Sequence, residues 1–308
     1  MMKLMLSLKN IINANFQGQK FYRSKQILKK IFLFMLAVCL GGVLSSCEPT
    51  YPARALIPQL TLKIKEETKL DATCRIAGKT LWVFIPCENL IDEEKVSWST
   101  KGLEEMSKVI AVAHRVALST DAKIDFLAVT AADVKKYGLE LTAIEYLPDI
   151  KEAMFEKVSR GEYFMRSVRN VDFNEKAVGD LKGTYKRFYD IAFDEFIGYQ
   201  IIHRTKTLFA KDKELKNIFE IRSSASSVKF GIIKVDFEFM RKKYDLDNHE
   251  KSINPLEYAK MIAAEIIKNY SYHDFQAIEI TDTFSGDSIK LLENDISQIV
   301  IKLPNYLD

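Results

Sequence analysis

The sequence is poor in the residues that make stapled or reactive sites. Four cysteines and four histidines in 308 residues exclude a disulfide-dense mini-scaffold. His114, His203, His249 and His273 are scattered, with no HExxH and no CxxC, so zinc hydrolysis has no support. A Gly-x-Ser-x-Gly elbow is missing. Gly78-Lys79-Thr80 echoes a phosphate loop, but Thr73 stands where its first glycine belongs. Motifs therefore point to no catalytic residue, no cofactor and no metal, although active sites also assemble from distant residues. An excess of one charge is lacking as well: 45 Lys and Arg face 42 Asp and Glu. With 47% hydrophobic and 28% charged residues, composition excludes wholesale disorder, collagen and coiled coil.

What is present is concentrated at the amino terminus. Residues 1–30 hold seven basic side chains and no acidic one. Ile31–Val43 then runs without a charge, and Leu44-Ser45-Ser46-Cys47 follows. A positive flank, a short apolar run and small residues before a cleavage point make a secretory signal. The uncharged stretch Ile31–Cys47 is marginally short for a bilayer core of roughly 30 Å. Leu44-Ser45-Ser46-Cys47 resembles the lipobox of bacterial lipoproteins: an aliphatic residue, two small ones, then cysteine. The resemblance implies acylation of the Cys47 thiol and cleavage that makes Cys47 the first mature residue. Cys39 is a poorer match, because bulky Val38 precedes it. Each buried methylene contributes about 0.8 kcal/mol, so two or more acyl chains give stable anchoring. The expected address is the bacterial cell envelope, facing periplasm or exterior. The alternative is an uncleaved single-pass anchor.

Removing that signal leaves 38 basic against 42 acidic residues. No basic run interleaved with aromatics survives, so nucleic-acid binding is not expected. Cys74 and Cys87 remain. An even remainder in an exported chain favours a disulfide, which would contribute about 3 kcal/mol for a loop of this size. If the chain turns at Gly78-Lys79, however, Cys74 faces about residue 83, the wrong partner for Cys87. A disulfide and two buried thiols both stay open.

The pattern divides the chain into a signal peptide (1–46), a lipidated tether (47–58), a first α+β unit (59–147), a helical segment (148–225) and a second α+β unit (226–308). Leu60–Ile64 alternates apolar and polar residues and predicts a strand; Thr80–Ile85 predicts another after a turn at Gly78. Ser99 or Thr100 caps a helix whose Leu103, Met106, Ile110, Ala113 and Ala117 share a face. Strands follow at 124–129 and 139–147. Phe230–Phe239 alternates again, and Asn254-Pro255-Leu256-Glu257 opens a second helix. Strands at 277–283 and 288–292 complete a second βαββ order. The middle predicts helices at 148–159 and 188–210, with Ser223–Ser227 as a linker. The expected fold is α+β: antiparallel sheets with packed helices, as two βαββ units flanking a helical middle segment.

Two local clusters deserve weighing as sites. Asp245-Leu246-Asp247-Asn248-His249-Glu250 resembles a calcium loop, but Glu250 and Leu256 stand where glycine and glutamate belong, so a solvated acidic turn is expected. Arg160–Arg169 is the densest mixture of arginine and aromatics. On a helix, Glu162, Arg166 and Arg169 would share an ion-paired outer face. Arg160, Tyr163, Phe164, Arg166 and Arg169 are the residue types of interface hot spots and form a candidate partner surface. The expected function is a membrane-tethered, non-catalytic binding or envelope-assembly module. Its expected partners are the lipid bilayer, through Cys47, and an envelope protein. An envelope hydrolase with a dispersed site is the alternative.

Overall fold

Leu56, Leu60 and Ile64 recur every four residues, and the segment that carries them is a helix, α1 (Leu56–Thr68). The strand expected at Leu60–Ile64 is thereby corrected: those three side chains are fully buried, while Leu62 is 50% exposed. Alternation over five residues also satisfies a helical period, and Leu56 decides between the two. The folded body also begins before the expected Gln59, since Tyr51 already bridges to Thr120. These features come from a computed structural model, which describes residues 50–88, 90–92, 94, 97–242 and 253–304. Tyr51–Asp308 form one unit.

Beyond α1, β1 (Thr73–Ala77) and β2 (Thr80–Cys87) form the hairpin foreseen at Gly78. Gly78 adopts φ +57° and a Cβ there would strike the Asp190 carboxylate, so only glycine fits. A short pair, β3 (Ile91–Asp92) and β4 (Ser97–Trp98), leads to α2 (Thr100–Leu118). The Ser99 side chain caps α2 by accepting from Gly102 N–H. Its buried stripe is Met106, Val109, Val112, Ala113, Val116 and Ala117; Leu103 lies at the margin. β5 (Phe126–Asp133) returns parallel to β2, and β6 (Leu139–Tyr146) pairs antiparallel to β5.

The sheet order is β1-β2-β5-β6-β7, with β7 at Val168–Phe173. Both faces of its centre are covered. Leu81, Val83 and Ile85, beside Leu127, Val129 and Ala131, pack on α1 and α2. Trp82, Phe126 and Ala128 point the other way. Each large apolar side chain so buried contributes roughly 1.5–3 kcal/mol.

The middle of the chain is not uniformly helical. Helices α3 (Leu147–Met154) and α4 (Arg160–Arg166) are followed by β7. An irregular stretch with one 3₁₀ turn at Glu175–Ala177 crosses back over the first sheet. There Trp82 Nε1 donates to Tyr189 O (2.7 Å) and Ile191 N–H to Thr80 Oγ1 (2.8 Å). α5 (Phe193–Lys211) and α6 (Lys213–Ile218) come next. Ser223–Ser227 is not a linker: it lies within β8 (Phe219–Lys229). A polar edge strand has no apolar alternation to announce it.

β9 (Ile232–Arg241), α7 (Pro255–Tyr270), β10 (Ala277–Asp282), β11 (Ser288–Leu291) and α8 (Glu293–Gln298) complete the described elements. Asn254 caps α7 by accepting from Leu256 N–H, with Pro255 in the first turn. The second sheet runs β11-β10-β9-β8. The protein is thus α+β, and its two larger sheets repeat one topology. In each, a hairpin, a helix and a second hairpin place the central strands parallel: β2 beside β5, β9 beside β10. Each hairpin set is also preceded by a helix that packs on it, α1 or α5. The repeating order therefore carries one more strand than βαββ.

α5 is the element the two halves share. Its Phe196 packs with Trp82, Phe126 and Ile144 of the first sheet. Its Ile197, Ile201 and Leu208 pack with Ile233, Val235 and Phe237 of the second. The outer face of the second sheet is polar: Glu279 bridges Lys234 (3.3 Å) and Lys290 (3.2 Å) across three strands.

Candidate functional site

Tyr199, Ile202, His203 and Lys206 follow one another at helical spacing along α5 and share a stripe. That stripe forms the floor of a cleft of about 440 Å³, a size suited to a small ligand or a short segment of chain. One wall is β7 from Val168 to Asp172, with Thr142 and Ile144 of β6 behind it. The opposite wall is Ser224, Ala225 and Ser226 of β8. Trp82, Lys186 and Tyr189 close one side.

Some polar groups of the cleft are committed. Lys186 Nζ donates to the buried Glu140 carboxylate, which also accepts from Tyr185 Oη (2.5 Å). Tyr199 Oη donates to Glu195 (2.6 Å) and lies 3.2 Å from Tyr189 Oη. Asn170 Nδ2 donates to Asp172 (2.8 Å). Others are not. The His203 ring and the Lys206 ammonium have no partner among the described residues, and Ser226 Oγ is buried without a hydrogen bond. Burial, with the charges of Arg169, Arg204 and Lys206, brings His203 down to about 4, so the ring is neutral at pH 7. Burial alone lowers Lys206.

A polar seam fixes α5 against its neighbours. The Glu162 carboxylate accepts from Arg166 Nε (2.8 Å) and Arg204 Nη2 (2.8 Å). Arg166 Nη1 donates to Asp149 (2.7 Å) and Glu152 (3.0 Å), and Tyr270 Oη donates to Asp149 (2.6 Å). Gln200 Nε2 donates to the Arg166 carbonyl, and Arg204 also pairs with Glu265 (3.6 Å). Residues of α3, α4, α5 and α7 are tied together at one place. Burial pushes Glu162 up, but Arg204 and Arg166 outweigh it and hold the carboxyl below its ordinary value. For Asp149 burial wins, and the carboxyl lies above.

This seam corrects the proposed partner surface. Arg166 is 8% exposed and faces inward, because three carboxylates compensate its guanidinium there. Arg169 belongs to β7 rather than to a helix. It donates to Ser167 Oγ, lies 3.9 Å from Glu145 and stacks on Phe164. Tyr163 Oη donates to Glu145 (3.1 Å). Arg160 and Phe164 are exposed, Phe164 by 61%. The five residues do not form one surface.

His114, beside the α2 core stripe, lies 2.5 Å from Glu145, which also accepts from Ser167 Oγ (2.8 Å). Cys74 and Cys87 are buried free thiols, correcting the disulfide alternative. Cys74 faces Val83 in the ladder, and the four further positions to Cys87 span roughly 13 Å of strand, far beyond bridging distance. Burial pushes Cys74 up to about 11; burial, Glu105 and Asp133 push Cys87 up to about 12. Among the described residues no group of His, Cys, Asp and Glu is placed to hold a metal. No described helix is long and apolar enough to cross a membrane. Cys47 and the acidic run 245–250 lie outside the described residues.

Sequence reasoning missed the cleft. Its one legible signal was the polar stripe Tyr199, His203, Lys206 within a helix otherwise buried at Ile197, Ile201 and Leu208. In comparisons with known proteins, the chain matches no family model, no curated protein and no solved structure.

Proposed function

We propose that this protein is an exported lipoprotein, anchored through acylated Cys47, whose body is a non-catalytic binding module with the cleft between β7 and β8 as its ligand site. The observation that carries the reading is the convergence of unpartnered polar groups on one cleft. His203, Lys206 and Ser226 line it without partners among the described residues; the buried Ser226 hydroxyl is costly to leave unpaired, and the exposed Lys206 ammonium offers a cation to a ligand. The arrangement suits binding better than proton transfer. A ring brought down to about 4 is a weak base at pH 7, and the buried Ser226 hydroxyl has no base hydrogen-bonded to it.

Two measurements test the two halves of this reading. Intact mass of membrane-extracted protein should show a chain starting at Cys47 plus acyl groups; a full-length, unacylated chain refutes the anchor. A photo-crosslinking side chain at Ser224 should give a discrete adduct in cells, whereas one at Lys234, on the outer sheet face, should not. Equal labelling at both, or none at Ser224, refutes the cleft as a ligand site.

A further inference from the structure

The walls of the cleft say what shape of ligand it takes. Successive side chains of a strand point to opposite faces, so five consecutive residues lining one cavity present a strand edge, not a face. β7 does this from Val168 to Asp172, and it is the terminal strand of its sheet, paired to β6 alone. Among the described residues its outward N–H and C=O groups have no ladder partner. An open edge of this kind is a template for an added strand.

The two sides of that edge differ in chemistry. On the side facing α1 and α2, Val171 and Phe173 stand opposite Leu141 and Leu139 and are 51% and 64% exposed. On the other side lies the cleft, with Lys206 as a cation that no described carboxylate matches. A strand added beside β7 would lay alternate side chains on the apolar strip and the rest toward Lys206.

Resting on the reading of the cleft as a ligand site, we infer that its ligand is an extended polypeptide segment alternating apolar with acidic residues, bound by strand pairing to the free edge of β7. The apolar residues cover Val171 and Phe173. An acidic residue meets Lys206, and the backbone completes the ladder.

The test titrates a heptapeptide alternating valine with aspartate into the membrane-extracted protein in detergent. Saturable one-to-one binding is expected. Replacing aspartate by lysine should weaken it by about tenfold or more. Methylating the valine nitrogens should abolish it, because the ladder donors are gone. Lys206→Met should cost the aspartate peptide about tenfold and leave an asparagine version unchanged. No binding up to millimolar peptide, equal binding of the methylated peptide, or indifference to Lys206→Met overturns the inference. So does a dimer whose edges the peptide cannot enter, since a second copy then covers β7. A small-molecule adduct at Ser224 without peptide binding would sink this inference while leaving the cleft a ligand site.

Discussion

Glu162 and Arg204 meet at 2.8 Å although α4 and α5 belong to different parts of the chain. Arg204 is fully buried, so its charge depends on that carboxylate and on Glu265. Breaking a buried pair from one side strands the other charge and costs about 3–5 kcal/mol. Arg204→Met should lower stability by that order, read from the denaturant midpoint. A pair of apolar substitutions, Arg204→Met with Glu162→Leu, would still leave Arg166 short of a partner and should recover only part of the loss.

α1 offers a direct contrast between helix and strand. Leu60→Ala should cost about 2–5 kcal/mol, as for a fully buried leucine. Leu62→Ala should cost under about 0.5 kcal/mol, since the side chain is largely exposed. A strand at this position would place Leu60, Leu62 and Ile64 together and make the two losses similar. Thermal and chemical denaturation of the two variants decides it.

Acid should act through Glu145. Burial raises its carboxyl, but His114, Arg169 and Ser167 prevail and hold it below the ordinary value. Its contribution is therefore present above the unfolded value of about 4.3 and is lost as pH falls through the lower folded value. Glu145→Gln should be less stable at pH 7 and should lose less on going to pH 3, measured by denaturation at each pH.

His203 carries the same sign of proton linkage over a higher window. Above about pH 6.5 both states leave it neutral. Between 6.5 and 4 the unfolded chain takes up a proton that the folded ring refuses, costing up to about 1.4 kcal/mol per pH unit. His203→Gln should flatten the stability profile in that interval. An unchanged profile would mean the ring is more open to water than its burial implies.

The thiols Cys74 and Cys87 should resist alkylation in the folded protein and react fully in denaturant, with or without prior reduction. Burial that holds them at about 11 and about 12 leaves almost no thiolate at pH 8. A reduction-dependent gain in reactive thiols would show a bridge instead.

Strong local chemistry was legible. Asn254 and Pro255 announce α7, Ser99 announces α2, and the turn at Gly78 fixes the register that puts Cys74 opposite Val83. The repetition of topology was legible in part, because apolar alternation marks only half-buried strands. β7 and β8 escaped it: their exposed polar positions carry no periodic signal. The same property hid the cleft, which is built from those two edges. Arg166 was misjudged for another reason. Its neighbours in sequence suggested an outer ion pair, while its compensating carboxylate Asp149 and the stacked Tyr270 ring come from other helices.

Because α5 covers the second sheet and also fills the aromatic side of the first, the repeated halves cannot lead separate lives. A fragment ending before Phe193 would lose the rings that Phe193 and Phe196 lay on Phe126, and a fragment starting there would leave Phe196 with only Phe193 and Tyr270 beside it. One helix thus serves as a common keel, and neither half can be exchanged without it.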